Sequence, residues 1–435
     1  MKRMTFMLLM AQVCLLPAKV PLSQAVRDAW TLSGALDSQK LQERAAAVAR
    51  ETALRQKYFS AVFGAGYRYS TDQVEVTAGT FPFPLGPGVP AGTVILSAPS
   101  HAFDLKLSLQ QPLYSGGALS RAARIEAARE LSERELTRLK RIELAGIVKA
   151  SYFNYLLYSR KRDSLNSLLA SLDIHLKKLA NLFAEDLVSR SDLLETEAKA
   201  DEARLGLEDI EQLIASETVR FRSLCGHDPG DIDLQAGTRP GSYAAAWESF
   251  LAGHPLLRSL DEKARMLRDQ KKAIAGAYRP QVGAFAELHY GRPGQNFFKD
   301  RWTFYAAGGV NVSLPVFNWN KRGRDLELAD IALRQLEDRR ADFLRESERA
   351  LSQLFLQRDS LERKRSLLDR LEANAREDVR LKEGLYEESQ IAHSDLLAAM
   401  TSQERYRADR GGLDAQLQLL AAGIDALVGA CEEGQ

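Results

Sequence analysis

Cysteine is scarce in this sequence, with three in 435 residues, and one of them, Cys14, sits inside the first apolar run. A chain this long can bury a core without covalent staples, so Cys225 and Cys431 read as incidental thiols and not as a disulfide framework. Long apolar runs are also missing. After the N-terminal run nothing approaches the roughly 18 consecutive apolar residues that a membrane helix needs, so any membrane-spanning part must be built of strands. Neither sign of charge prevails, with 59 Lys and Arg against 58 Asp and Glu. Without a net field, nucleic acid is not an expected partner, and any charge-based function must be local. Catalytic signatures are absent as well: no G-x-S-x-G elbow, no P-loop, no G-x-G-x-x-G after a strand and no H-E-x-x-H. The six histidines are scattered. The sequence therefore predicts neither an enzyme nor a cofactor-binding or metal-binding protein.

What is present begins at the N-terminus. Lys2 and Arg3 precede an apolar run over 4–16, followed by Pro17 and Ala18. A basic start, a short apolar run and a small residue are the order of a secretory signal, expected here over 1–18. Gln12 and Val13 in front of Cys14 do not suit lipid attachment.

The chain also repeats itself. "RSDLLETE" contains Asp192 and "HSDLLAAM" contains Asp395, 203 positions apart; Pro112 and Pro315 keep that spacing, as do "LCG" (224–226) and "LVG" (427–429). One register held over more than a hundred residues marks a tandem duplication. Long helices impose such constancy, because one inserted residue rotates everything beyond it by about 100°. Between Gly117 and Asp186 the only glycine is Gly146 and there is no proline, while Ala, Arg, Glu, Leu and Ser dominate. That composition predicts a long helix over about 116–186. In the second copy Leu344 and Leu351, then Leu354, Leu361 and Leu368, step by sevens, as in helices packed lengthwise. At 1.5 Å per residue such a helix is ~100 Å long.

Four segments change period from helical to two. "FGAGYRYS", "FDLKLSLQ", "QVGAFAELHY" and "VNVSL" each set one apolar face against a more polar one, as half-buried strands do. The loops that join them, "TAGTFPFPLGPGVPAGT" and "GRPGQNFFKDRWTFY", carry Phe81, Phe83, Phe297, Phe298, Trp302 and Tyr305. Aromatics at strand ends beside an apolar band suit a barrel interface. Four strands are too few to close a barrel, so several chains must share one.

The expected organisation is mostly α with a small β part, as a tandem strand-strand-helix-helix repeat. After the signal comes a first repeat over 21–225, with an N-terminal helix (about 22–59), strands at about 63–76 and 103–114, the long helix, and a return helix over 192–225. An interruption over 226–241 follows. The second repeat, 242–429, has a helix over 242–277, strands at about 281–290 and 303–315, a long helix over about 321–388 and a return helix over 395–427. A tail occupies 430–435.

This order, with "LSLQQPLYSGGALSRA" and "VNVSLPVFNWNKRGRD" at the second strand of each repeat, the two S-D-L-L turns and "YRPQVGAFAEL" at a strand start, resembles the TolC-type outer-membrane efflux protein family. The first copy, "YFSAVFGAGYRYS", lacks the proline of that start. The resemblance implies a homotrimer in the bacterial outer membrane, with four strands per chain in one shared transmembrane β-barrel and the helices forming a long periplasmic barrel. It implies an equatorial role for 226–241. The implied function is a passive exit duct of a tripartite efflux or secretion system, fed by an inner-membrane transporter and a periplasmic adaptor. Two alternatives stand beside it: a type I protein-secretion duct, and a soluble elongated coiled-coil scaffold or adaptor.

Three residues are expected at the periplasmic mouth: Asp192, Glu195 and Asp395. Asp192, with Glu195 three residues on, reads as a capping box, and Asp395 as the cap of the last helix. Three-fold symmetry would bring copies of Asp395 together, where like charges raise one another's pKa and attract cations. The second copy has Ala398 in place of Glu195, which thins any acidic ring. Leu193 and Leu194 read as packing residues. In the family such turns receive the adaptor, so Leu187, Val188, Ser189, Arg190, Ile391, Ala392 and His393 are the implied contacts. His393 beside Asp395 supplies two potential ligands without a third, too few for a metal site.

Overall fold

The structure, a computed structural model, describes residues 19–81, 92–233, 241–296, 298–388 and 390–430. The expected signal over 1–18 lies outside these residues, as do Phe83, Phe297, Ser389 and Cys431. The chain divides into two compact units: one of residues 1–41, 134–259 and 340–435, the other of 42–133 and 260–339.

Two long helices dominate the chain. α3 (Ala118–Ala184) and α7 (Lys321–Glu387) have 67 residues each, and their return partners α4 (Arg190–Cys225) and α8 (His393–Val428) have 36 each. The starts are 203 positions apart in both cases, so the sequence offset is carried by hydrogen-bonded structure. The same holds at the ends. α3 is preceded by Gly116 and Gly117 at φ +62° and +86°, and α7 by Trp319 and Asn320 at φ +52° and +56°. Two successive left-handed residues turn the chain from strand into helix in each copy. Glycine takes this conformation freely, whereas Trp319 must bear the steric penalty of its Cβ. α4 and α8 both stop at left-handed glycines, Gly226 and Gly429, the usual helix-ending use of that residue.

Two expected helices are in fact broken. The N-terminal one is α1 (Leu22–Leu32) followed by α2 (Gly34–Arg55), with Ser33 Oγ accepting the Leu36 N–H at 3.2 Å as the second begins. The one expected over 242–277 is α5 (Tyr243–Gly253) and α6 (Pro255–Ala277). Proline without an N–H cannot continue a helix but suits the first turn of a new one.

The unit of residues 42–133 and 260–339 contains the main sheet. β2 (Ser60–Tyr69), β5 (His101–Tyr114), β7 (Gln281–Arg292) and β8 (Thr303–Ser313) are antiparallel in the order β2-β5-β7-β8. Among the described residues, no strand pairs with the outer edge of β2 or β8. The first strand, expected to run to about 76, stops at Tyr69, and the end of that stretch with the flanks of the expected aromatic loop forms a separate hairpin, β3 (Glu75–Phe81) with β4 (Gly92–Ser97). That insertion explains why the first strands of the two copies do not keep the 203-residue spacing. Register shows what each face carries. Phe63 pairs with Leu107, Leu107 with Leu288, and Leu288 with Ala306; one residue along, Gly64, Lys106, His289 and Tyr305 are in register. The first row is apolar and the second mostly polar. Tyr305, expected with the interfacial aromatics, instead stacks on His289 (centroids 4.6 Å, planes 2° apart).

The other unit holds the hydrophobic core. β1 (Val20–Pro21) pairs in parallel with β6 (Ile232–Asp233). Around this seam Ala25, Val26 and Ala29 of α1 pack with Val148, Tyr152 and Phe153 of α3 and Phe221 of α4. The amphipathic α1 is tied by Trp30 Nε1 donating to the Arg141 carbonyl (3.0 Å) and by His227 Nε2 with Asp28 (2.7 Å). Phe250, Leu257, Leu351, Phe355, Ile424 and Val428 form a second cluster. No helix among the described residues is long and apolar enough to cross a membrane.

Candidate functional site: the two reversal turns

Each long helix ends in the same hydrogen-bonded reversal. The Leu187 N–H donates to the Leu182 carbonyl (2.9 Å), and, 203 positions on, the Gln390 N–H donates to the Leu385 carbonyl (2.8 Å). In the first copy Asp186 takes the left-handed conformation at φ +55° and its N–H reaches the Phe183 carbonyl. Those two bonds form a helix-ending motif that normally uses glycine, with aspartate as a tolerated substitute.

The return helices start differently from the capping expectation. Ser189 is the N-cap of α4: its Oγ accepts the Asp192 N–H (3.2 Å), while the Asp192 carboxylate accepts the Ser189 N–H (3.1 Å). The box pairs Ser189 with Asp192, and Glu195, a turn further in, is exposed. The sequence reading thus placed the box three residues too late. In α8 the N-cap is Ala392, which has no side chain to offer, and Asp395 lies exposed in the first turn. There its charge complements the helix dipole without making a cap.

The doubled leucines also diverge. Leu396 and Leu397 are 3% and 2% exposed, and Leu397 packs with Leu172 and Ala200; Leu194, the counterpart of Leu397, is 52% exposed. The expected packing role therefore does not extend to Leu194. Of the contact candidates, Leu187, Ser189, Arg190 and Ala392 are exposed, Val188 and Ile391 half-buried, and His393 buried.

His393 is buried because the second turn inserts it into the first hairpin. Thr196 on α4 donates its hydroxyl to the Asp192 carbonyl (2.9 Å), so its oxygen accepts from His393 Nε2 (2.7 Å). With that nitrogen protonated, His393 Nδ1 is the acceptor for His175 Nε2 of α3 at 3.3 Å. The two rings are near-parallel (6°), and Tyr386 of α7 leans on both with centroids at 6.0 and 5.8 Å. His175, Thr196 and His393 are all buried. Burial lowers the pKa of His175 to about 4, with His393 and Lys178 adding to the shift. Burial also lowers that of His393, against the opposing pull of Asp192 and Glu195. Tyr386 titrates above its ordinary value, chiefly through burial and then through Asp192, and its hydroxyl has no partner among the described residues. At the rim Lys178 Nζ donates to Glu387 (2.8 Å). Beside the cluster runs a cleft of about 700 Å³, lined by His175, Lys178, Arg380, Tyr386, Met400 and Glu404. Burial raises the pKa of Glu404, whose Oε2 has no hydrogen-bond partner among the described residues.

The His175–Thr196–His393 cluster escaped the sequence reading. Its members are 21 and 197 positions apart (175 to 196, 196 to 393), and no local periodicity links them. The one available signal was a histidine in each hairpin near its turn.

Residues 247–430 match the model of the family "Outer membrane efflux protein". No curated protein sequence matches significantly. Solved structures share the fold over nearly the whole chain. The outer membrane protein VceC of Vibrio cholerae is 14% identical, with a TM-score of 0.77 over 94% of this chain and 96% of that one. The MtrE outer membrane channel of Neisseria gonorrhoeae, captured in its open state, is 15% identical, with a TM-score of 0.75 over 96% and 91%. The Campylobacter jejuni CmeC outer membrane channel is 14% identical, with a TM-score of 0.75 over 95% and 87%.

Proposed function

We propose that this chain belongs to the outer membrane efflux protein family and is one third of a trimeric outer-membrane channel that serves as the exit duct of a tripartite export system. The observation that carries the reading is the sheet. Its apolar face is exposed, with Phe63 at 69%, Val310 at 64% and Val312 at 67%, although a soluble protein of this size would cover such a face. Aromatics flank the row at both ends. Tyr67, Phe103, Tyr290 and Trp302 cluster at one end (Tyr290 and Trp302 stacked at 5.0 Å), while Tyr58, Phe59, Phe317 and Trp319 lie exposed where the strands meet the helices. An apolar band between aromatic girdles is the outer surface of a membrane β-barrel. The open edges of β2 and β8 then pair with neighbouring copies, since closure alone removes edges. Three chains of four strands make twelve.

The opposite face, with Asp104, Lys106, Glu287 and His289, lines the water-filled lumen. The reversal turns open into the periplasm, where Leu187, Val188, Ser189, Arg190, Ile391 and Ala392 are offered to an adaptor and His393 anchors the second turn from beneath. Asp192, Glu195 and Asp395 set the charge at the mouth. The duct does no chemistry, and its driving energy comes from the inner-membrane transporter.

Fractionation and planar-bilayer recording test this reading. The protein is expected in the outer-membrane fraction, as a trimer that conducts ions. Recovery with soluble protein, as for a coiled-coil scaffold, refutes it. Asp395→Ala, which removes three carboxylates per trimer, is expected to lower cation selectivity, and unchanged selectivity sinks the acidic mouth.

A further inference from the structure

We propose that His393 and His175 form an acid-released latch, which docks the second reversal turn onto the first hairpin at neutral pH and frees it, widening the mouth of the duct, when the periplasm acidifies. The proposal rests on the channel reading for its consequence, but its geometry belongs to the chain alone. His393 is the first residue of α8, and its two ring nitrogens are both engaged by the other hairpin: Nε2 by Thr196 of α4 and Nδ1 by His175 of α3. The Thr196 hydroxyl is committed to the Asp192 carbonyl, so the order of donors is fixed along the chain of bonds. A proton added at His393 Nδ1 would point at the Nε2 hydrogen of His175. One added proton can be shared if His175 changes tautomer. Two cannot, because both nitrogens then carry hydrogens at 3.3 Å and two like charges share a buried site.

The surrounding charges do not cancel this. From α3, Lys178 faces the pair, partly neutralised by Glu387 of α7. From α4, Asp192 and Glu195 favour a charged His393. α7 contributes Tyr386, an uncharged ring at neutral pH, Arg380, which is paired with Glu377, and, along the same cleft, one further charge of each sign, Arg376 and Glu383. On α8, Asp395 is exposed and Glu404 is buried with its pKa raised. The two acids beside His393 therefore favour charging the latch histidine, while Lys178 opposes charging its partner.

Docking holds both rings below the ordinary histidine range, so the released turn binds more protons than the docked one. The docked state is at full strength above about pH 6.5 and weakens as pH falls towards about 4. At pH 5.5 the shift of His175 alone reduces the docking equilibrium roughly tenfold per chain, compounded over three chains.

Nitroxide labels at the exposed Glu185 and Glu388, one beside each turn, report docking in the full-length purified protein, and conductance is recorded on the same samples. Wild type is expected to show longer label distances at pH 5.5 than at pH 7.5. His175→Gln, whose amide can still donate to His393 but cannot become charged, is expected to keep the pH 7.5 distances at both values. An unmoved wild type, or His175→Gln moving as far as wild type, overturns the latch. If His175→Gln fails to dock at pH 7.5, the wild-type midpoint decides: between about 4 and 6.5 it supports the latch, and outside that window it overturns it. Conduction at both pH values with unmoved labels refutes the latch and leaves the duct standing. Label movement in a protein that conducts at neither pH does the reverse.

Discussion

Replacing Leu397 with alanine isolates what the second S-D-L-L contributes. Leu397 is 2% exposed and packs with Leu172 of α3 and Ala200 of α4, alongside Leu168, Leu169 and Leu176. Truncation removes about three carbons from this contact, worth ~2.4 kcal/mol at ~0.8 kcal/mol per methylene. Helices of this length cannot collapse locally to fill the space, so a cavity term brings the loss to ~3–4 kcal/mol. The affected equilibrium is local, the docking of α8 near its start, and hydrogen exchange of a peptide over residues 391–400 measures it directly. At 1.4 kcal/mol per decade, exchange there should rise by ~100-fold or more, with little change in the core cluster around Phe221. The control is Leu194→Ala, the same substitution 203 residues earlier at a position 52% exposed, expected to stay within ~0.5 kcal/mol. Equal effects at the two leucines, or an Leu397→Ala effect spread evenly over the chain, would refute the argument that the repeats have diverged in what they bury.

Ala392→Ser is expected to stabilise the start of α8 by about 1 kcal/mol, because Asp395 already occupies the position from which Asp192 completes the box with Ser189; Ser189→Ala should cost the first turn of α4 a similar amount. Local exchange of the first turn reads both. Gly116→Ala should impair folding by at least ~2 kcal/mol, since its φ of +62° is strained for alanine and the added Cβ meets the Gly276 carbonyl. Thermal melting of the purified protein checks it. On the proposed channel reading, Leu107→Arg on the apolar face should lower outer-membrane recovery, at ~2–4 kcal/mol for a charge that would face mid-bilayer lipid, whereas Ser108→Arg on the opposite face should be recovered as wild type.

Much of the architecture was legible because it is periodic. The long helices read from composition and from the rarity of glycine and proline, and the 203-residue offset anticipated equal helices with matching ends. The strands read from alternation along Phe103, Leu105, Leu107 and Leu109. Errors fell where one residue decides the matter. The breaks at Ser33 and at His254–Pro255 lie inside otherwise helical stretches, and the β3–β4 hairpin lay in a turn-rich loop. Asp192 reads as the cap because both aspartate and serine suit that role, and only backbone angles show that Ser189 holds it. Tyr305 reads as one of the interfacial aromatics because strand register, which decides its face, depends on partners far away in sequence.

By itself, then, the sequence determined the elements, their lengths and the duplication, because helix and strand periods are local properties of a chain and a duplicated segment repeats them. It could not determine which copy buries its leucines, nor that histidines 218 positions apart, His175 and His393, share a buried hydrogen bond. Those features depend on how the second turn seats against the first hairpin. Burial, and the protonation chemistry that follows from it, is a property of neighbours, and only the tertiary structure supplies them.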